Sequence, residues 1–444
     1  MADVGETAAS VLHLTKKLAP TAEARASVSF GRKGNTRFAA GEITTAGATD
    51  IAEVSLSVSL GKRHATATTS ESSPAALEKL AERTLAMAKL VPEDPELMPV
   101  LGPQSYGAAP DDYDDATANM VDSERAQAAR AVIELADSKQ VIPAGFFQAS
   151  ATERALATSA GLTARHRSTS ASFTLTVRTP DGTGSGWAGS EATRAADIRA
   201  SELAATAIDK ALRSRSPRAL DPGEYTVVLE PAAVGDLLGF LIDALDARSA
   251  DEGRSFFAKK GGGTRVGEKL FAPRIQLQSD PHAAATPGAP FDGEGLPLEA
   301  VRWIDHGKLL ALRYSRFWAA KKSKQPTGYH STFALTGGEA ADTAALVKSV
   351  KKGLLVTRFW YIRWLEPREL SVTGLTRDGV FSIENGEVKH PVNNFRFNES
   401  PAKLLANCRD MTREAVRVQS YGGVFRVPAL LADRFHMASV SAAV

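Results

Sequence analysis

The sequence predicts an α+β protein: two N-terminal α/β segments followed by a C-terminal, mainly antiparallel β domain. Three observations carry this reading. Apolar and hydroxyl-bearing residues alternate along 51–60, as on a strand with one wet face. Leu237, Leu238, Leu241, Ile242 and Leu245 recur at helical spacing. His306-Gly307 and Asn385-Gly386 each divide two strand-like runs, which is the chemistry of a tight hairpin.

In chain order, period-two patterns mark strands at 25–30, 36–39 and 51–60. A helix over 74–90 follows, with Leu77, Leu80, Leu85 and Met87 on its apolar face, and Pro92 and Pro95 stop it. The second segment contains a helix over 123–138, strands at 151–158 and 171–178, a turn at Asp181-Gly182 and a helix over 192–212. Arg213-Ser214-Arg215-Ser216-Pro217 reads as a solvated boundary. A strand at 225–230 then leads into a helix that Pro231 starts and that runs to 248, and beyond 270 the pattern is mostly β. The resulting divisions are 1–105, 106–218 and 219–444. No sequence repeat is evident.

At 444 residues the chain has room for several cores. Its 53 basic and 51 acidic residues leave a net charge of +2 without blocks of one sign, so no nucleic-acid or anionic-membrane partner is expected. The start, Met1-Ala2-Asp3-Val4-Gly5-Glu6, lacks a secretory pattern, and no apolar run reaches the roughly 20 residues of a membrane span. A soluble, cytoplasmic protein is expected. The single cysteine, Cys408, suits a reducing compartment and, in the helical pattern 404–408, reads as a buried structural thiol.

From Phe291-Asp292-Gly293-Glu294-Gly295 onward the chain resembles the TldD/TldE (PmbA) family of peptidases. The hairpin 303–312, Pro326-Thr327-Gly328, Gly353-Leu354-Leu355-Val356-Thr357, and Ile383-Glu384-Asn385-Gly386-Glu387 with Pro391-Val392 carry the resemblance by their order and spacing. In that family the D-type chain holds zinc with His-Glu-x-x-x-His on a helix and a later cysteine, which leaves a coordination position open for water. The corresponding helix here begins at Ala232, with Leu238, Gly239 and Asp243 at the motif positions, and no histidine occurs between His166 and His282. The cysteine's place falls near Ser420. The resemblance therefore implies an E-type subunit that has no cofactor of its own. Its implied partner is a D-type chain carrying the zinc, and together the two would enclose a cavity for small or unfolded peptides.

By the same resemblance, Asp292, Glu294, Gly295, Thr327, Gly328, Trp360 and Ser420 are candidates for substrate or partner contact, with no catalytic or metal-binding residue among them. Taken on its own chemistry, Asp292-Gly293-Glu294-Gly295 is a turn whose carboxylates bond back to the chain. Phe359-Trp360-Tyr361 with Trp364 reads as core or interface. Asp280-Pro281-His282 with Asp251-Glu252 is too scattered for a metal site, and Lys259-Lys260-Gly261-Gly262-Gly263-Thr264 lacks the order of a phosphate loop. His330 and His436 have no companion at ligand spacing and read as structural or exposed. Two other readings stay open: a homodimeric binding or scaffold protein, and an independent hydrolase using Asp292, Glu294 or His282.

Overall fold

The computed structural model describes residues 3–108, 111–420 and 423–442. Strand outweighs helix, 42% against 26%, and most strand pairs are antiparallel, so the chain is α+β. The first half is α1 (Val4–Leu18), β1 (Glu23–Ala39), β2 (Glu42–Leu60), β3 (Arg63–Thr69) and α2 (Pro74–Leu90). After the short α3 (Asp115–Ala118) come α4 (Asp122–Ser138), β4 (Ile142–Thr158), β5 (Thr163–Arg178), β6 (Ser185–Ala192) and α5 (Ala200–Arg213). Helix, three antiparallel strands, helix thus occurs twice, a repeat of elements that the residues do not display.

The two N-terminal segments build one sheet in the order β3-β2-β1-β4-β5-β6. β1 and β4 join the halves over a long antiparallel ladder from Arg25↔Thr158 to Ala39↔Ala144. Helices α1 and α2 cover one half with Val11, Leu77 and Leu80, and α4 and α5 cover the other with Val132, Ala207 and Ile208. Local signals account for α2: Ser73 caps it by accepting from Ala76 N at 3.3 Å and Pro74 opens it. Met87, expected on the apolar face of α2, is 39% exposed. The run 192–212 is not one helix, because β6 reaches Ala192 and α5 starts only at Ala200.

β6 lies so close to α5 that a Cβ on Gly186 would fall 2.2 Å from Ala207 O and 2.5 Å from Ala211 N. Both are backbone atoms, so the layers would have to separate. Gly186→Ala should cost about 1–3 kcal/mol through overpacking, read as a lower urea midpoint. An unchanged midpoint would show that the layers give way freely.

The C-terminal part comprises β7 (Gly223–Leu229), α6 (Pro231–Ala244), α7 (Ala247–Asp251), β8 (Gln276–Ser279), β9 (Val301–Asp305), β10 (Lys308–Leu309), α8 (Arg316–Lys322), β11 (Thr332–Thr336), α9 (Thr343–Lys348) and β12 (Lys352–Glu366). It continues with β13 (Ser371–Glu384), β14 (Glu387–Pro391), β15 (Asn394–Glu399), α10 (Pro401–Ala406), β16 (Cys408–Met411), β17 (Val416–Ser420), β18 (Gly423–Val427) and β19 (Leu430–Ser441). One sheet runs β10-β9-β8-β11-β18-β17. The other runs β12-β7-β19-β15-β13-β14, and because β12 also pairs with β13, five of its strands close into a ring. Both hairpin turns are where the sequence places them, with positive φ at His306, Gly307, Asn385 and Gly386.

α6 is buried between these sheets, with Leu237, Leu241 and Ile242 at or below 4% exposure in a core shared with Trp303, Phe333, Phe359 and Phe425. Burial on nearly all sides explains its near-continuous apolar sequence. It stops at Ala244 and not at 248, because Asp246 caps a new turn by accepting from Ser249 N at 2.7 Å. No helix among the described residues is long and apolar enough to cross a membrane.

Candidate functional site

Asp236 is the one charge in the apolar run 232–242 and sits on the second turn of α6. Its carboxylate accepts from Phe359 N at 3.1 Å. Burial pushes its pKa up to about 6, against the opposing pull of that N–H and of Arg358. Arg358, next to it on β12, lies between the rings of Trp187 (5.0 Å) and Trp360 (5.2 Å). Its Nε is 3.4 Å from Asp378 Oδ2, and Asp378, 1% exposed, accepts the Ser185 hydroxyl at 2.6 Å. This ties β6 of the N-terminal sheet to β13 of the C-terminal domain.

The backbone places these groups by a bulge. Pairing of β12 with β13 slips between Val356/Arg358 and leaves Asp378 and Gly379 as the longer side, both at positive φ. On the facing wall Glu191 at the end of β6 and Arg417 on β17 stand 4.0 Å apart, and Arg417 also donates to Thr193 Oγ1 at 2.7 Å. Burial raises the Glu191 carboxyl above its ordinary range while Arg417 opposes the shift. Glu191 and Arg417, with Asp236, Arg358, Trp187 and Trp360, wall a cavity of about 210 Å³. A second cavity of about 410 Å³ shares Asp236, Phe359 and Trp360 with it and is otherwise mostly aromatic, with Phe240, Tyr361 and Trp364 beside Ile362 and Arg363.

The other candidates gather elsewhere. Asp292, Glu294 and Gly328 line a cleft of about 560 Å³, with Arg25, Arg154 and Arg313 from both parts of the chain. Asp292 Oδ1 accepts from Glu294 N (2.8 Å) and Leu296 N (3.0 Å), as a turn-forming aspartate does. Burial raises its pKa, and those N–H groups oppose the rise. Glu294 holds Arg316 at 2.8 Å, and Arg316 reaches Pro99 O at 2.8 Å, so the pair fastens the N-terminal segment to the cleft. Gly295 has φ +87° and its carbonyl accepts from Tyr106 Oη at 2.9 Å; Thr327 Oγ1 accepts from Tyr314 N at 3.0 Å. Five of the seven predicted residues therefore meet around one turn, and Trp360 lies apart at the polar cavity. Ser420 ends β17, and its side chain lies outside the described residues.

A zinc ion does not fit these donors. Among the described residues no three His, Cys, Asp or Glu side chains are grouped to hold a metal. On α6, Leu238 and Gly239 are packed in the core and Asp243 is exposed. Cys408 begins β16 and is not in a helix as its pattern implies; it is 7% exposed, and burial pushes its thiol up to about 12, far from the thiolate a metal needs. His330 is buried, with Nε2 2.9 Å from Glu299 O and its ring against Trp303. His282 meets Ala108 O at 3.0 Å, whereas Asp251 accepts Trp318 Nε1 at 2.8 Å.

A sheet flanked by paired helices, joined to a two-sheet domain around one buried helix, here belongs to a sequence that models of the PmbA/TldA metallopeptidases match. Models of that family match in sequence as the C-terminal domain over 222–439, the central domain over 109–215 and domain 1 over 24–88. The chain belongs to the TldD/TldE (PmbA) family. Among solved structures, TldE from Thermococcus kodakarensis is similar over 97% of this chain and 99% of its own, with 18% identity and a TM-score of 0.87. A candidate modulator of DNA gyrase from Thermotoga maritima MSB8 matches with 18% identity and a TM-score of 0.83 over 97% of this chain and 99% of that one. Another from Bacteroides thetaiotaomicron VPI-5482 gives 20% identity and 0.84 over 97% and 98%. A search of curated proteins returned no match.

Proposed function

We propose that this chain is the zinc-free, E-type subunit of a two-chain TldD/TldE-like peptidase. It shapes a cavity in which a small or unfolded peptide is held for a zinc-bearing D-type partner to cut. The observation that carries this reading is α6: at the positions to which the resemblance assigns the family's metal motif stand Leu238 and Gly239, packed in the core, and Asp243, turned to solvent. The Thermococcus structure, similar along nearly its whole length, bears the name TldE. β6 and β17 are each the last strand of their sheet and meet at the polar cavity, which suits capture of an extended peptide by strand addition. Tyr361 and Leu365, 64% and 51% exposed on β12, offer apolar surface to the partner.

Co-expression with a TldD-type chain tests this. The two should elute together and hydrolyse an unfolded peptide in a chelator-sensitive way, while the purified chain alone hydrolyses none. Recovery only as a self-associated species would favour the scaffold reading. Hydrolysis by the isolated chain that survives chelation would defeat the subunit reading.

A further inference from the structure

Seven buried side-chain polar atoms among the described residues lack a hydrogen-bond partner, and three of them belong to residues that wall the 210 Å³ cavity: Glu191 Oε2, Arg358 Nε and Arg417 Nε. Glu191 is only 8% exposed. Arg358 Nε has only its 3.4 Å ion pair with Asp378, and Glu191 and Arg417 stand 4.0 Å apart, beyond hydrogen-bond length, so charged groups crowd this cavity without their full complement of hydrogen bonds. Water could occupy the space, since a volume of about 30 Å³ per molecule allows several. The walls, however, are built for a less symmetric guest. Trp187 and Trp360 flank Arg358, and Trp360, Phe359 and Asp236 also wall the aromatic chamber next door.

The charges narrow the choice. Arg358 and Arg417 bring two positive charges, and Glu191 and Asp236 bring two negative ones when ionised. A polyanion such as a nucleotide would meet two carboxylates, and a simple cation would meet two guanidiniums. A molecule that is neutral overall, with a carboxylate beside an N–H donor, satisfies both sets at once.

We propose that this cavity binds an α-amino acid with an apolar or aromatic side chain. Its carboxylate lies against Arg358 and Arg417, its amino group against Glu191, and its side chain in the aromatic chamber. The C-terminal residue of a peptide carries the same pair of groups, a carboxylate and an adjacent N–H, and is the second source of this chemistry. This is the cavity at which the proposed function holds its peptide, so the peptide-end source rests on that reading, whereas binding of the free amino acid by the isolated chain does not.

The test is titration of the purified chain, by calorimetry and by tryptophan fluorescence, with three probes. L-phenylalanine should bind saturably and change the emission. L-phenylalanine amide, which has no carboxylate, should bind at least about tenfold more weakly. N-acetyl-L-phenylalanine separates the sources: affinity equal to that of phenylalanine identifies a peptide end, and affinity about tenfold lower identifies the free amino acid. Arg417→Gln and Glu191→Gln should each weaken phenylalanine by about tenfold or more, and Glu191→Gln, which removes a buried charge, keeps the test open if the arginine variant does not fold. Absence of saturable binding by all three probes, equal affinity for phenylalanine and its amide, or folded variants that bind like the parent would overturn the assignment.

Discussion

Asp378→Ala is expected to lower stability by about 3–5 kcal/mol, because it leaves a charge buried without its counterpart. Asp378 is 1% exposed; it faces Arg358 at 3.4 Å and Arg377 at 3.9 Å and takes the Ser185 hydroxyl at 2.6 Å. Its removal strands Arg358, whose other anionic neighbour, Asp236, is itself crowded by apolar groups. Asp378→Asn should cost less, since asparagine tolerates the left-handed backbone (φ 58°) and still accepts from Ser185. Ser185→Ala should cost only about 1 kcal/mol. Urea unfolding of the three variants checks the order. Equal, small effects would mean that the network between the sheets carries little of the fold's stability.

Asp236→Asn is expected to stabilise the protein above pH 6 and to do little near pH 4. The carboxyl titrates at about 6 in the folded chain against an ordinary 3.8, so the native state binds its proton more tightly than the unfolded state does. Stability therefore falls as pH rises from about 4 to about 6, and the penalty is complete above that window. At about 1.4 kcal/mol per pKa unit, the penalty above the window is on the order of 1–3 kcal/mol. Asparagine removes the charge and keeps an acceptor for Phe359 N. Unfolding midpoints of both proteins from pH 4.5 to 8 should diverge upward, and a difference constant with pH would show that Asp236 does not titrate there.

The elements legible in the sequence are those with local chemistry. Ser73-Pro74 fixes α2, Pro231 fixes the start of α6, and Asn385-Gly386 fixes its hairpin. α1 was not legible because its buried face, Val4, Thr7, Ala8, Val11 and Thr15, is too small and too polar to stand out. β6, Ser-Gly-Trp-Ala-Gly-Ser-Glu-Ala, shows no alternation because its glycines serve close packing against α5 and a tight fit near Trp187. β1 reads as two pieces because Gly31 and Gly34 interrupt it, although pairing with β2 and β4 runs straight through.

The candidate site divides in the same way. The Asp292 turn is local and could be read; the polar cavity draws Glu191, Asp236, Arg358 and Arg417 from four elements, with Asp378 of a fifth holding Arg358, and no spacing in the sequence brings them together. Two signals were present all the same. One is Asp236, a lone carboxylate in an apolar helix, which requires a partner wherever it is buried. The other is Asp378-Gly379, a turn-forming pair in the middle of a strand.

Zinc content, measured on the chain purified alone without chelator and on its complex with a D-type chain, tests the central claim most directly. The account predicts far less than one zinc per isolated chain and one per D-type chain in the complex. A tightly held equivalent of zinc in the isolated chain, bound through its own side chains, would contradict it.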